Sequence, residues 1–348
     1  MLDRRSFLRL GAGVTGLAVA GPLLAACGGS SGSSSATTGS GLTTLSYQLS
    51  WIKNFQFGGE YVADSKGYFK ANGLAVDLLA GGPNVAVDSV VQSRKALVGQ
   101  SSPDFTANAV AKGAELTIIG ANYQKSPFCI MSLPSKPITK PEDLIGKKIG
   151  IQSTNEVAWA AFLKLAGIDP SKLTKVPVQF DLTPLTSGEV DGFWGYSNDD
   201  VVHLQEKGVD AQVLLLADHG YKLMTGTYTV RTDTLKDKAK RAQVVSFLKA
   251  DIKGWQDAVA DPALTAKLTV DTYGKGNGLE LSDQQKSAES TNSLMVSADT
   301  EAHGLMWMTD QLISDTLATL SAAGVKAGES LFDTSVLAEV FGGGTTVS

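Results

Sequence analysis

Aromatic and polar side chains recur together where short apolar runs of the sequence end. The aromatic members of this set are Trp51, Phe55, Phe57, Tyr61, Tyr123, Trp194 and Tyr196. The polar members are Asn84, Ser101, Ser102, Asp104, Thr154, Asn155, Asn198 and Asp199. Aromatic faces beside directed hydrogen-bonding groups suit a small planar ligand. We therefore expect these residues to bind a small molecule.

The sequence offers little for catalysis or for metal binding. The three histidines, His203, His219 and His303, stand at no metal-ligand spacing from a cysteine or an acid. Cys129 lies in an apolar run and is interpreted as a small buried residue. Residues 42–348 contain no Gly-x-Ser-x-Gly elbow and no clear catalytic triad. We expect no metal, no cofactor and no enzymatic activity.

Several members of the set have two open interpretations. The aromatics of residues 51–57 either stack on a ligand or fill the core, and the following Gly58 and Gly59 favour close approach of a ligand to the backbone. Tyr61 faces either the cleft or the core. Asn198 or Asp199 either caps a helix or accepts a hydrogen bond from a ligand N–H.

An anion site is the weaker alternative. Ser153 and Thr154 at a helix start could bind an anion through free backbone N–H groups, but capping alone explains the pair. Lys53 and Lys125 are the evident cations near these loops.

The elements that must position these residues alternate between strand and helix. Strands are predicted at 45–51, 75–79, 96–99, 116–120, 147–152, 176–180, 192–195, 212–216 and 227–231. Helices are predicted between them and, from residue 235 onward, at 242–259, 262–270, 282–295 and 309–323. This alternation predicts mainly parallel sheets flanked by helices. Ligands bind such sheets at the carboxyl ends of the strands.

The first 41 residues have the layout of an export signal and a tether. Arg4 and Arg5 precede a short apolar stretch that is diluted by glycine, and small residues then lead to Cys27. This predicts a twin-arginine signal over 1–26 and acylation of Cys27. Residues 27–41 are rich in Gly and Ser, which is typical of a flexible tether. We expect a lipid-anchored protein on the outer face of the cytoplasmic membrane.

The length of the remaining chain and the overall composition limit the possible folds and functions. Residues 42–348 are long enough for two lobes. The hydrophobic content is 43% and the net charge is −5, so the chain has a globular core and no electrostatic footprint for nucleic acid.

Three stretches resemble one family. Residues 51–63 with 66–74, then 142–150, then 187–192 with 195–200 are similar to segments of the NMT1/THI5-like (SsuA/THI5-like) solute-binding proteins of ABC importers. The resemblance implies a two-lobed α/β fold of the periplasmic-binding-protein type II class. Lobe 1 is then 42–131 with 228–348, and lobe 2 is 132–227.

The resemblance also implies a function. A monomer closes on a small ligand and delivers it to an ABC permease and ATPase complex. The aromatics favour a heteroaromatic ligand, either a thiamine pyrimidine precursor or riboflavin, and an alkanesulfonate, taurine or nitrate-type anion is the alternative. A pyrimidine synthase-like enzyme fits poorly, because no histidine lies between residues 51 and 123 and Cys129 is isolated.

Overall fold

The computed structural model describes residues 41–347, and this part of the chain forms two five-stranded sheets. The first sheet contains β1 (Thr43–Gln48), β2 (Leu74–Leu79), β3 (Val98–Ser101), β4 (Leu116–Tyr123) and β10 (Thr225–Arg231), in the order β2-β1-β3-β10-β4. The second contains β5 (Phe128–Ser132), β6 (Lys148–Gln152), β7 (Thr174–Val178), β8 (Gly192–Tyr196) and β9 (Gln212–Leu215), in the order β7-β6-β8-β5-β9. The predicted signal, Cys27 and nearly all of the tether lie outside the described residues.

Each sheet contains one strand that runs against the other four. β10 is antiparallel to its neighbours β3 and β4, and β5 is antiparallel to β8 and β9. The pairs β1–β2, β1–β3, β6–β7 and β6–β8 are parallel. Both reversed strands arrive directly from the other sheet, since β5 follows β4 and β10 follows β9. The predicted mainly parallel sheets are thus each interrupted by the strand that crosses over.

Helices flank both sheets. They are α1 (Gly58–Ser65), α2 (Tyr68–Ala71), α3 (Val87–Gln92), α4 (Pro103–Ala111), α5 (Glu156–Leu165), α6 (Thr183–Thr186), α7 (Asp200–Glu206), α8 (Thr232–Lys236), α9 (Lys238–Ala260), α10 (Pro262–Leu268), α11 (Leu281–Met295), α12 (Ala298–His303), α13 (Asp310–Ala322) and α14 (Ser335–Phe341). Asp237 starts the longest of them by accepting hydrogen bonds from the N–H groups of Ala239 and Lys240. None of the helices in residues 41–347 is both long and apolar enough to cross a membrane.

The crossings bring the carboxyl ends of the two sets of parallel strands to adjoining edges. Only residues 124–127 separate the end of β4 from the start of β5. The first residue of β5, Phe128, pairs with Tyr196 at the end of β8. Loops that follow β1, β3, β6, β7 and β8 therefore gather around one cleft, where open α/β sheets bind ligands.

The predicted lobe boundaries need a small correction. The boundary after residue 131 falls inside β5, all of which pairs within the second sheet. The boundary before residue 228 falls inside β10, all of which pairs within the first. Strands are indivisible hydrogen-bonded units, so the chain crosses at 124–127 and again at 216–224.

The two glycines at the start of α1 allow neighbouring helices to pack closely against it. A Cβ on Gly59 would lie 2.2 Å from the ring of Trp255, and one on Gly58 would lie 2.4 Å from Thr265. On the facing helix α9, a Cβ on Gly254 would lie 2.1 Å from the carbonyl oxygen of Gly59. The expectation that Gly58 and Gly59 admit a ligand is therefore wrong, because helices α9 and α10 occupy that space.

Candidate functional site

Two aromatic rings meet across the mouth of the cleft. Trp51 follows β1 of the first sheet, and Phe180 follows β7 of the second. Their ring centroids are 6.1 Å apart and their planes are tilted by 56°. Trp51 is partly buried, whereas Phe180 is 58% exposed. Exposed aromatic surface at the carboxyl edges of two sheets is a platform for a flat apolar ligand.

Asp104 lies within electrostatic range of two tyrosines on the other side of the cleft, Tyr196 at the end of β8 and Tyr221 in the loop before β10. Burial, followed by the charge of Asp104, raises the pKa of Tyr221. Burial also raises the pKa of Tyr196, with contributions from Asp200 and then Asp104. The Asp104 carboxylate accepts a hydrogen bond of 2.5 Å from Ser102. This carboxylate thus stands at the start of α4, within electrostatic reach of the opposite lobe.

The Asp199 carboxylate has no hydrogen-bond partner among the described residues. It occupies the N-cap position of α7 without a side-chain capping bond, and no described residue donates a hydrogen bond to its carboxyl group. Asp200 instead accepts from the Tyr196 N–H at 2.8 Å. Burial, and next the charge of Asp200, raise the pKa of Asp199 to about 7. The capping interpretation of Asp199 is therefore wrong, and the carboxylate is available to a ligand.

Asn198 does not cap the helix either. Its amide nitrogen donates to the hydroxyl of Thr291 at 2.9 Å, and that hydroxyl donates to the carbonyl oxygen of Ser287 at 2.7 Å. Burial raises the pKa of Tyr123, and the neighbouring Thr291 and Asn198 oppose that shift. Tyr123, at the end of β4, therefore lies beside Asn198, which is in the loop that follows β8.

A cavity of about 220 Å³ adjoins Asp199. One wall is formed by residues of lobe 2, and the other by the start of α11 with the loop before it. The lining residues are Asp199, Asp200, His203, Gly278, Leu279, Glu280, Asp283, Gln284 and Ser287. His203 pairs with Asp283 across it at 3.0 Å. Four carboxyl groups against one imidazole make this cavity unfavourable for an anion.

Four of the predicted aromatic site residues lie in the packed interior. Phe55, Phe57 and Tyr61 are at most 1% exposed, and Tyr61 stacks on Tyr273 with 4.4 Å between ring centroids. Trp194 is fully buried against Phe128 and Trp159. Since none of the four offers an open ring face, we leave them out of the proposed stacking surface.

Two predicted hydroxyl and amide groups are bonded within their own lobe. Ser101 donates to the buried Asp88 at 2.6 Å. Asn155 donates to Gln152 at 3.0 Å, which in turn donates to the carbonyl oxygen of Trp194.

The other polar candidates are exposed. Asn84 and Thr154 lie at the surface, and Thr154 sits in a short 3-10 turn over Ser153–Asn155. No side chain of that turn caps α5, so capping does not account for Ser153 and Thr154.

The cations near the cleft are few. Lys125 pairs with Asp218 at 2.5 Å. Lys53 contributes its backbone carbonyl, which accepts from Asn277 at 3.0 Å. Within residues 41–347 no group of three His, Cys, Asp or Glu side chains has the geometry to hold a metal. The described site thus presents aromatic surface and carboxylates.

The sequence interpretation missed three features of this site. The strand predicted at 176–180 includes Phe180, yet β7 ends at Val178 and leaves Phe180 in the cleft loop. Phe105 directly follows Asp104 and is 60% exposed at the same edge. Nothing in the sequence of residues 278–287 indicates that they line the site. They reach Asp199 only because the chain folds back over about 80 residues.

Comparison with known proteins decides the family. The family model described as NMT1/THI5 like matches residues 54–264. The chain belongs to the NMT1/THI5-like family. The matched segment covers both sheets except β1, and it ends before α11.

The relatives of this NMT1/THI5-like chain include binding proteins and a synthase. It is 24% identical to the riboflavin-binding protein RibY of Chloroflexus aurantiacus, over 82% of each chain. It is 25% identical to a formylaminopyrimidine-binding protein of Halalkalibacterium halodurans, over 66% of this chain and 71% of that one. A 4-amino-5-hydroxymethyl-2-methylpyrimidine phosphate synthase of Aspergillus parasiticus is 30% identical, but over only 42% of this chain.

A solved structure supports the fold. The periplasmic sulfonate-binding protein SsuA of Methylobacillus flagellatus superposes with a TM-score of 0.63. It is 16% identical, and the match covers 87% of this chain and 94% of that one. At that identity the likeness concerns the architecture. The NMT1/THI5-like chain therefore has the two-lobed binding-protein fold.

Proposed function

We propose that this protein is the substrate-binding component of an ABC importer and captures a small nitrogen heteroaromatic compound between its lobes. The observation that carries the proposal is the Asp199 carboxylate, which lines an acidic cavity and has no hydrogen-bond partner among the described residues. The aromatic pair Trp51 and Phe180 at the mouth of the cleft supports it. A carboxylate accepts hydrogen bonds from ring or amino N–H groups, while aromatic faces stack on the ring. The names of two relatives, which bind riboflavin and formylaminopyrimidine, support this ligand class.

The size of the cavity favours a single ring. Pockets for drug-sized ligands enclose about 300–1,000 Å³, whereas this cavity measures about 220 Å³. A pyrimidine of the thiamine-precursor type fits that volume better than the three fused rings of riboflavin. Sulfonate, taurine or nitrate would meet carboxylates, since the nearby Lys125 is already paired with Asp218.

Calorimetric titration of the purified protein with an aminopyrimidine, riboflavin and taurine tests the proposal. We expect tight binding of the aminopyrimidine, weaker binding of riboflavin and none of taurine. Mass spectrometry of any small molecule that copurifies gives an independent identification. Tight taurine binding that survives loss of Trp51 would overturn the heteroaromatic assignment. Turnover of a bound pyrimidine would overturn the binding role and favour a synthase.

The proposed location is extracytoplasmic, on a lipid anchor at Cys27, as a monomer beside its permease. Changing Arg4 and Arg5 together to Lys should leave the precursor in the cytoplasm, because the twin-arginine pathway reads that pair. Cys27→Ser should abolish labelling with a radioactive fatty acid. Labelling that persists on this variant would contradict the anchor.

A further inference from the structure

Helix α11 lies beyond the segment that matches the family model, yet it forms one wall of the cavity beside Asp199. Two of its lining residues, Gln284 and Ser287, are separated by three positions and therefore share a helix face. Gln284 is 5% exposed and Ser287 is 1% exposed. Buried polar groups are nearly always hydrogen-bonded, so the bonding of these two side chains is informative.

The Gln284 amide is only half satisfied. Its oxygen accepts a hydrogen bond of 2.9 Å from the Phe55 N–H. That bond fixes the orientation of the amide, so its nitrogen is the end left for the cavity. No described residue accepts a hydrogen bond from this nitrogen, and none bonds the Ser287 hydroxyl. Because both residues line the cavity, both groups remain available to whatever occupies it.

We infer that Gln284, assisted by Ser287, is a specificity-determining residue of the ligand site. The inference rests on the proposed function. Asp199 offers an acceptor from one wall, and Gln284 offers an N–H donor from the other. A ligand that satisfies both presents a donor and an acceptor on its edge, as an aminopyrimidine does with its amino group and ring nitrogen. The pairing discriminates against rings that carry only one kind of group.

Gln284→Glu is the decisive variant. It is isosteric and keeps a carboxyl oxygen to accept the Phe55 N–H. In its ionised form it removes the N–H donor and adds a negative charge beside the carboxyl groups of the cavity. We expect the dissociation constant for an aminopyrimidine at pH 8 to rise by about 10-fold or more. Ser287→Ala, which removes one hydroxyl, should raise it by roughly 3-fold. Gln285→Glu is the matched control, because Gln285 bonds Glu289 on the outer face of α11. It should leave the affinity unchanged.

The outcomes separate this inference from the proposed function. Wild-type affinity in both Gln284→Glu and Ser287→Ala would overturn the role of α11 alone. Tighter binding by Gln284→Glu would also overturn it, because the ligand would then present a cation or a second donor at that point. Failure of the wild-type protein to bind any heteroaromatic compound would overturn the proposed function, and the role of Gln284 with it.

Discussion

Three consecutive side chains at the start of α7 take different roles. Asp200 bonds backward to the Tyr196 N–H, and Asn198 reaches across to Thr291 on α11. Asp199, between them, keeps a carboxyl group without a hydrogen bond from the described chain. Its raised pKa follows from burial beside Asp200. Such a displaced pKa is typical of residues that act on a ligand.

The first prediction concerns the pH dependence of binding. The pKa of Asp199 in the free protein is about 7, and a ligand that donates N–H to the carboxylate binds the ionised form. Binding must therefore lower that pKa and release a proton below pH 7. The dissociation constant should fall by up to ~10-fold per unit as pH rises from 5 to 7, and then level off.

Calorimetry across pH 5–9 measures this dependence, with Asp199→Asn as the comparison. The variant should bind more weakly at pH 8, by about 1.5–3 kcal/mol for a charge-assisted bond. It should also lose the pH dependence between 5 and 7. An equally steep profile in the variant would assign the titration to another group, such as the buried Glu60, whose pKa burial raises to about 7.

The second prediction contrasts two tryptophans that the sequence alone treats as equivalent. Trp51 meets Phe180 at the mouth, whereas Trp194 is fully buried. Trp51→Ala should weaken binding by ~2–4 kcal/mol. It should lower the free energy of unfolding less than Trp194→Ala does, because Trp51 is only partly buried against the core. Trp194→Ala should lower the free energy of unfolding by ~3–5 kcal/mol, because it leaves a core cavity. Calorimetry and urea denaturation of both variants separate the two roles, and equal destabilisation would contradict the assignment.

Among elements, the sequence predicts which segments are strands better than it predicts where they end. The strand predicted at 96–99 is observed at Val98–Ser101, and the one predicted at 176–180 is observed at Thr174–Val178. These shifts of two residues move Ser101 into the sheet and Phe180 out of it. Apolar runs mark buried strands, but strand ends depend on pairing with partners that are distant in sequence.

For a related reason, the sequence does not predict correctly which aromatic residues line the cleft. Phe55 and Phe57 are buried because helices from the C-terminal part of the chain cover them. The Phe55 N–H, for example, donates a hydrogen bond to Gln284, which is 229 residues later in the sequence. No local pattern reports such a contact. The order of the elements, the two sheets and the position of the cleft were predictable, since they follow from βα alternation and the family resemblance.

The third prediction belongs to the contact between α1 and α9. A Cβ on Gly254 would lie 2.1 Å from a backbone oxygen of Gly59, which cannot move without shifting α1. Gly254→Ala should therefore lower the free energy of unfolding by about 2–3 kcal/mol. Gly328→Ala is the control, because nothing lies within 4 Å of its Cβ and its φ of −135° suits alanine. Chemical denaturation measures both, and an unaffected Gly254→Ala variant would contradict this packing.

At the scale of the whole molecule, the two lobes are joined by contacts of two kinds. Around the crossings, one buried apolar cluster contains Ile118 and Ala121 of the first sheet together with Ile130 and Trp194 of the second. Farther out, the links between lobes are partly exposed, and they include Trp51 with Phe180 and Lys286 with Glu206. The first kind suits a hinge, and the second kind can break and reform as the lobes move.

The last prediction follows from that division. If the buried cluster is the hinge, ligand should stabilise the closed arrangement and the radius of gyration should fall on saturation. Phe180→Ala and Lys286→Met remove rim contacts without touching the hinge. An exposed ion pair contributes about 0–1 kcal/mol, so the second change should shift the closed population by at most ~5-fold. Both variants should be more expanded than the wild type without ligand and equally compact when saturated. Small-angle scattering measures these differences in the radius of gyration. For a ligand that is shown to bind by calorimetry, identical wild-type profiles with and without it would exclude closure.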